Sequence, residues 1–147
     1  MSLSEQIEQD FKAAYKAHDS LRLNVLRMVK TAAKNAQVEL MRPLVDDDLV
    51  GVIQKEAKQR QDSIEQYTLA NRADLAAKEA DELAILKSYL PEALSEEELA
   101  AAVEKAVAEL GVTNMSGMGK VIKTIMGAYK GRVDGRAVST AVKKRLS

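Results

Sequence analysis

Apolar residues in this chain recur three and four positions apart almost from end to end, a spacing that lays them along one side of a helix. Ser2 and Glu5 stand at capping-box spacing and open a first helix to about Lys16. Ala17-His18-Asp19-Ser20 reads as a turn, with Asp19 or Ser20 capping a second helix from Leu21 to about Met41. Leu21, Val25, Met28, Val29, Ala32, Ala33, Ala36 and Leu40 form its apolar side, and Pro43 ends it. Asp46, Asp47 and Asp48 mark the next helix start, where carboxylates meet free N–H groups and the positive dipole end. That third helix runs from about Asp47 to Leu69, with a seam of Val50, Ile53, Ala57, Arg60, Ile64 and Tyr67. A fourth spans about Ala73 to Tyr89, with Ala76, Ala80, Leu83, Leu86 and Leu90 on one side.

Pro91 then interrupts the pattern, and Ser95 with Glu98 caps a new helix carrying Leu99, Val103, Val107 and Leu110 up to Gly111. A sixth helix turns Met118, Ile122, Ile125, Met126 and Tyr129 inward and closes at Gly131. Asp134 caps a seventh with Ala137, Val138, Ala141, Val142 and Leu146. The pattern predicts an all-α protein with four helices in antiparallel hairpins followed by a small three-helix module. The boundary falls at 91–95, giving modules 1–92 and 93–147.

Composition supports that class. Ala, Leu, Glu and Lys dominate a chain with one Phe, four Tyr and no Trp, residues that lose little side-chain freedom in a helix. Cys is absent, which removes disulfides, thiolate metal sites and cysteine nucleophiles. The apolar runs are too short to cross a membrane, and the start, Met1 to Glu5, has neither a basic nor an apolar leader segment. A cytoplasmic location without membrane contact is the expectation.

The zero net charge conceals a split. Residues 1–111 hold 14 Lys/Arg against 21 Asp/Glu; residues 112–147 hold eight, against Asp134 alone. Lys120, Lys123, Gly127 and Lys130 follow one another at spacings that share a helix face. Arg132 and Arg136 flank the start of the last helix, and Lys143, Lys144 and Arg145 sit in its final turn, where cations also offset the dipole. Three readings of this basic face stay open: contact with nucleic-acid phosphates, docking on the acidic first module, or a solvated surface. Without interleaved aromatics, the nucleic-acid reading favours folded RNA over stacked single strands. A helix-interior glycine costs about 1 kcal/mol against alanine, so Gly127 implies close approach of a partner or a neighbouring helix.

Catalytic chemistry is thin. His18 is the single histidine and sits in a polar corner. Gly117-Met118-Gly119-Lys120 resembles part of a phosphate loop, but Asn114 and Val121 stand where that loop needs Gly and Ser or Thr. No Ser–Lys or Ser–base arrangement can be assembled. No catalytic residue, metal site or cofactor is expected. Arg60 on an apolar seam calls for a carboxylate from another helix, a snorkelling pose or a partner. The stripe Asn24, Arg27, Thr31 and Asn35 reads as solvent-facing.

The stretches Lys55–Ile64, Tyr89–Glu98, Met118-Gly119-Lys120-Val121 and Lys130–Gly135, in that order, resemble the GatB/YqeY family and within it the stand-alone YqeY-like proteins. The resemblance implies a helical N-terminal module and a tail similar to the C-terminal domain of the B subunit of the tRNA-dependent amidotransferase, which converts misacylated Glu-tRNA or Asp-tRNA to the amidated form. There the tail recognises tRNA. Carried over, the resemblance assigns RNA contact to Lys120, Lys123, Lys130, Arg132 and Arg136. It also implies tRNA or other structured RNA, and the amidotransferase or aminoacyl-tRNA machinery, as partners. A carbon–nitrogen ligase label with glutamine as amide donor comes with the family, but the ATP- and metal-binding cradle has no counterpart here. The chain by itself is expected to be non-catalytic.

Overall fold

A computed structural model describes residues 1–147, which form seven α-helices, one 3-10 turn and no strand. They gather into two units, Met1–Leu90 and Pro91–Ser147.

In the first unit, α1 (Leu3–Lys16) begins with the expected capping box, Ser2 Oγ accepting from Glu5 N at 3.1 Å. Asp19 caps α2 (Ser20–Leu40), and α3 (Asp46–Leu69) and α4 (Ala73–Lys87) complete the bundle. The hairpin of α3 and α4 makes the most extensive contact, turning at Asn71 (φ 58°), a residue type that tolerates the left-handed region. Ile7, Val25, Leu26, Val29, Leu49, Ile53, Ala57, Ile85, Leu86 and Tyr89 form the core. Two departures from the sequence reading have one cause. Leu26 and Ile85 are buried though off the expected stripes, and Leu49 replaces Val50 as the fully buried first seam residue of α3. A helix with more than one neighbour buries a wider arc than one stripe, and α2 touches α1, α3 and α4. Conversely, Leu40 on the expected side of α2 stands 46% exposed. With 14 residues against 21, α1 is too short to shield the far end of α2.

Arg60 resolves in favour of pairing. It is 5% exposed, with Nη1 2.8 Å from Glu56 Oε2 and Nε 3.5 Å from Glu82 Oε2 on α4. Nη2 lies 3.1 Å from the Met28 sulfur. In the same unit, the Tyr89 hydroxyl donates to Asp10 Oδ2 at 2.5 Å. Burial foremost, and then the Asp10 carboxylate, pushes that phenol well above its ordinary range. At the start of α3, Asp48 accepts from Val45 N at 3.0 Å and pairs with Arg42, while Asp46 accepts from Leu3 N at the start of α1.

In the second unit, α5 (Glu96–Leu110) carries a capping box from Ser95 and Glu98 and ends at Gly111 (φ 64°). A 3-10 turn (Met115–Gly117) leads into α6 (Met118–Ala128), and Asp134 caps α7 (Gly135–Leu146). Gly117 has no alternative, since a Cβ there would lie 2.4 Å from Val112 Cγ1. The core joins Val103, Ala106 and Val107 to Val121, Ile125, Val133, Val138, Val142 and Leu146. Leu94 N donates to Arg132 O at 2.9 Å, tying the segment before α5 to the α6–α7 connection.

Candidate nucleic-acid interface

Hydrophobic anchoring decides which way α6 faces. Val121 and Ile125 are essentially inaccessible and Met118, Ile122 and Met126 are half-buried, so Gly119, Lys120, Lys123, Thr124, Gly127 and Ala128 face outward. Lys120 and Lys123 are exposed and form no ion pair. A Cβ on Gly119 or Gly127 would meet nothing within 4 Å. No neighbouring helix within the chain therefore demands Gly127.

Lys130 is also exposed and unpaired, but it does not continue the helical register. The helix stops at Ala128, and Tyr129 (φ −119°, ψ 40°) leads into a turn at Gly131 (φ 80°). Spacing arguments for residues 120, 123, 127 and 130 assumed two more helical residues than form.

The two arginines behave differently. Arg132 Nε donates to Glu92 O at 2.8 Å, and Nη2 stands 4.0 Å from Glu98 Oε2. Its guanidinium thus joins the α6–α7 connection to the start of α5. The Glu98 carboxyl is held below its ordinary range by the Ser95 N–H and hydroxyl, with Arg132 adding a smaller Coulombic pull. Arg136 donates its backbone N–H to Asp134 Oδ1 at 3.1 Å. Its side chain borders a groove of about 710 Å³ between α5 and α7, together with Glu96, Glu104, Lys144 and Arg145. Arg145 pairs with Glu104 across that groove. The structure therefore brings Lys120 and Lys123 onto one outward face, sets Lys130 in the turn beyond it, ties Arg132 internally, and places Arg136 at the α5–α7 groove.

Counted by unit, the charge split narrows. Residues 1–90 hold 13 Lys/Arg and 15 Asp/Glu; residues 91–147 hold nine and seven. Glu92, Glu96, Glu97, Glu98, Glu104 and Glu109 precede the basic stretch in sequence but fold into its own unit. Glu98 and Glu104, the partners that hold Arg132 and Arg145, escaped the sequence reading because each lies 34 or more residues from its cation, beyond any local spacing rule. No three His, Asp or Glu side chains converge in a set able to hold a metal ion, and no helix is long and apolar enough to cross a membrane.

Fold and site together define an all-α protein of two helical units, the second displaying unpaired lysines on a helix anchored by its opposite face. The family model described as "Yqey-like protein" matches residues 4–146, and the chain belongs to that family. Among curated proteins it is similar to "Altered inheritance of mitochondria protein 41, mitochondrial" from three fungi. The protein of Vanderwaltozyma polyspora is 34% identical over 71% of this chain and 58% of its own length. That of Kluyveromyces lactis is 37% identical over 71% and 58%, and that of Pyrenophora tritici-repentis is 30% identical over 95% and 78%. The chain thus spans about three-fifths of the first two relatives. These relatives, named as mitochondrial, overturn the expectation of a cytoplasmic location. That expectation rested on the short apolar runs and on the character of residues 1–5, and neither separates one aqueous compartment from another.

Proposed function

We propose that this chain is a non-catalytic module that binds structured RNA, with tRNA as the first candidate, through the outward face of α6 and the turn that follows it. The observation that carries the reading is a contrast within one unit. Arg132 and Arg145 are held by Glu98 and Glu104, whereas Lys120, Lys123 and Lys130 are left without a carboxylate. Unpaired ammonium groups on a rigid helix suit phosphates: each contact releases counterions, so such binding is salt-sensitive and largely indifferent to sequence. Bare backbone at Gly119 and Gly127 lets a broad polyanion approach the helix closely. Arg132 belongs to the scaffold of this surface, whereas Arg136 lines the α5–α7 groove, to which α6 contributes no residue.

Resemblance to the amidotransferase tail supports the choice of tRNA and makes an accessory role beside a glutamine-dependent carbon–nitrogen ligase the natural setting. Docking of the tail on the first unit, the rival reading, loses most of its electrostatic premise once charge is counted by unit.

Filter binding of bulk tRNA to the full chain tests the proposal. The Lys120→Glu/Lys123→Glu/Lys130→Glu variant is expected to lose at least about tenfold in affinity at low salt while keeping its helical circular dichroism. Wild-type affinity retained by that variant, or no tRNA binding by the wild type at low salt, rules the proposal out.

A further inference from the structure

The corner where α2 hands over to α3 exposes more apolar surface than a solvated turn needs. Val38 is 71% exposed, Leu40 46%, Met41 91% and Val45 61%. Single exposed apolar residues are ordinary, but four within eight consecutive residues make this corner a candidate interaction surface. Met41 adds a conformational argument. It ends α2 in the left-handed region (φ 56°, ψ 33°), a position that glycine or asparagine fills without strain. A large apolar side chain held there, in water, serves neither the helix end nor the core. Beside the cluster lies a groove of about 460 Å³ between α1, α2 and the connection to α3, with Ala33, Pro43, Leu44 and Leu49 on its walls together with Lys34, Asp46 and the paired Glu8 and Lys30.

The charges around this corner select the occupant. Residues 34–48 hold two cations, Lys34 and Arg42, against four carboxylates, Glu39, Asp46, Asp47 and Asp48; Arg42 and Asp48 pair with each other at 2.6 Å, which leaves Lys34 against Glu39, Asp46 and Asp47. The last turn of α2 has no basic residue. It carries Glu39 instead, the wrong sign for the negative end of a helix dipole. An anionic membrane surface and a second copy of the same corner would both meet like charge.

We propose that the α2–α3 corner is a docking surface for a basic amphipathic helix of a partner protein. The apolar ridge of that helix would cover Val38, Met41 and Val45 and enter the groove. Its cations would meet Glu39, Asp47 and the carbonyl end of α2. This surface lies in the first unit and is independent of RNA binding by the second.

The test titrates the ¹⁵N-labelled full chain with a 14-residue Leu/Lys amphipathic peptide and with its Leu/Glu counterpart. The Leu/Lys peptide is expected to shift amides between about residues 33 and 49, and the Leu/Glu peptide to leave them unmoved. Met41→Gly and Val38→Ser should each weaken binding about tenfold, the scale of one buried apolar side chain. Met41→Gly should do so with an unchanged or higher thermal midpoint, because it also relieves the left-handed strain; a merely structural Met41 would show the reverse. Glu39→Lys should weaken binding as well. Perturbations confined to other helices, no binding of the Leu/Lys peptide, or equal binding by the variants overturns the proposal. So does a wild-type dimer in sedimentation velocity that Met41→Gly disperses, or Met41-dependent uptake onto phosphatidylglycerol vesicles.

Discussion

Replacing Arg60 with methionine tests the first unit at its most demanding point. The guanidinium is 5% exposed and faces two carboxylates, Glu56 at 2.8 Å and Glu82 at 3.5 Å, whose side chains are only 14% and 12% exposed. Methionine keeps much of the stem's packing, so the change isolates charge. Removing one member of a buried ion pair costs about 3–5 kcal/mol, because the remaining charge is left uncompensated in a poorly hydrated site. Residual solvent access to Glu56 and Glu82 favours the lower end, roughly 3 kcal/mol. In a unit of this size each kcal/mol shifts the thermal midpoint by about 4–8 °C, so a fall on the order of 15 °C is expected. Urea unfolding followed by circular dichroism reads the free energy directly. The triple variant Arg60→Met/Glu56→Leu/Glu82→Leu removes every charge together and should return to within about 1 kcal/mol of wild type, since an apolar replacement of a whole buried cluster is often neutral or better. A single variant that loses less than about 1 kcal/mol, or a triple variant no more stable than the single, would refute the claim that an uncompensated charge is what is felt.

Other expectations follow from the same structure. Burial and the bond to Asp10 raise the Tyr89 phenol's folded-state pKa above its unfolded value; its contribution is therefore complete below the ordinary tyrosine range and is lost as pH rises through and beyond it. Ultraviolet titration should show one of the four tyrosines ionising only with unfolding, and Tyr89→Phe should abolish that late step; four tyrosines titrating together would contradict it. Gly117→Ala should destabilise the chain by about 1–3 kcal/mol through the clash with Val112. Gly127→Ala, with open space at the same atom, should stabilise it by about 1 kcal/mol in thermal or urea unfolding while weakening tRNA binding.

Most of the architecture was legible because helix ends carry local chemistry. Ser2 with Glu5, Asp19, Ser95 with Glu98, Gly111 and Asp134 all act at their expected ends. What a local pattern cannot carry is the number of neighbours a helix has, which is why Leu26, Ile85 and Val121 were missing from the anticipated core. The end of α6 was misjudged for a related reason. Gly131 was taken as its stop, but the chain leaves the helix at Tyr129 and turns through Gly131 toward Arg132, whose guanidinium is tied to Glu92 and Glu98. The candidate surface shared this limit: the lysines could be found from spacing, while the fate of each arginine depended on glutamates distant in sequence and adjacent only after folding.

The most direct test of the central claim is the salt dependence of tRNA affinity, measured as log K against log salt for wild type and for Lys123→Gln. Phosphate contacts made by Lys120, Lys123 and Lys130 give a slope of about −2 to −3 in the wild type, at roughly −0.9 for each duplex phosphate neutralised, and Lys123→Gln makes it shallower by about one. A slope near zero, or one that Lys123→Gln leaves unchanged, would mean that these lysines meet no polyanion.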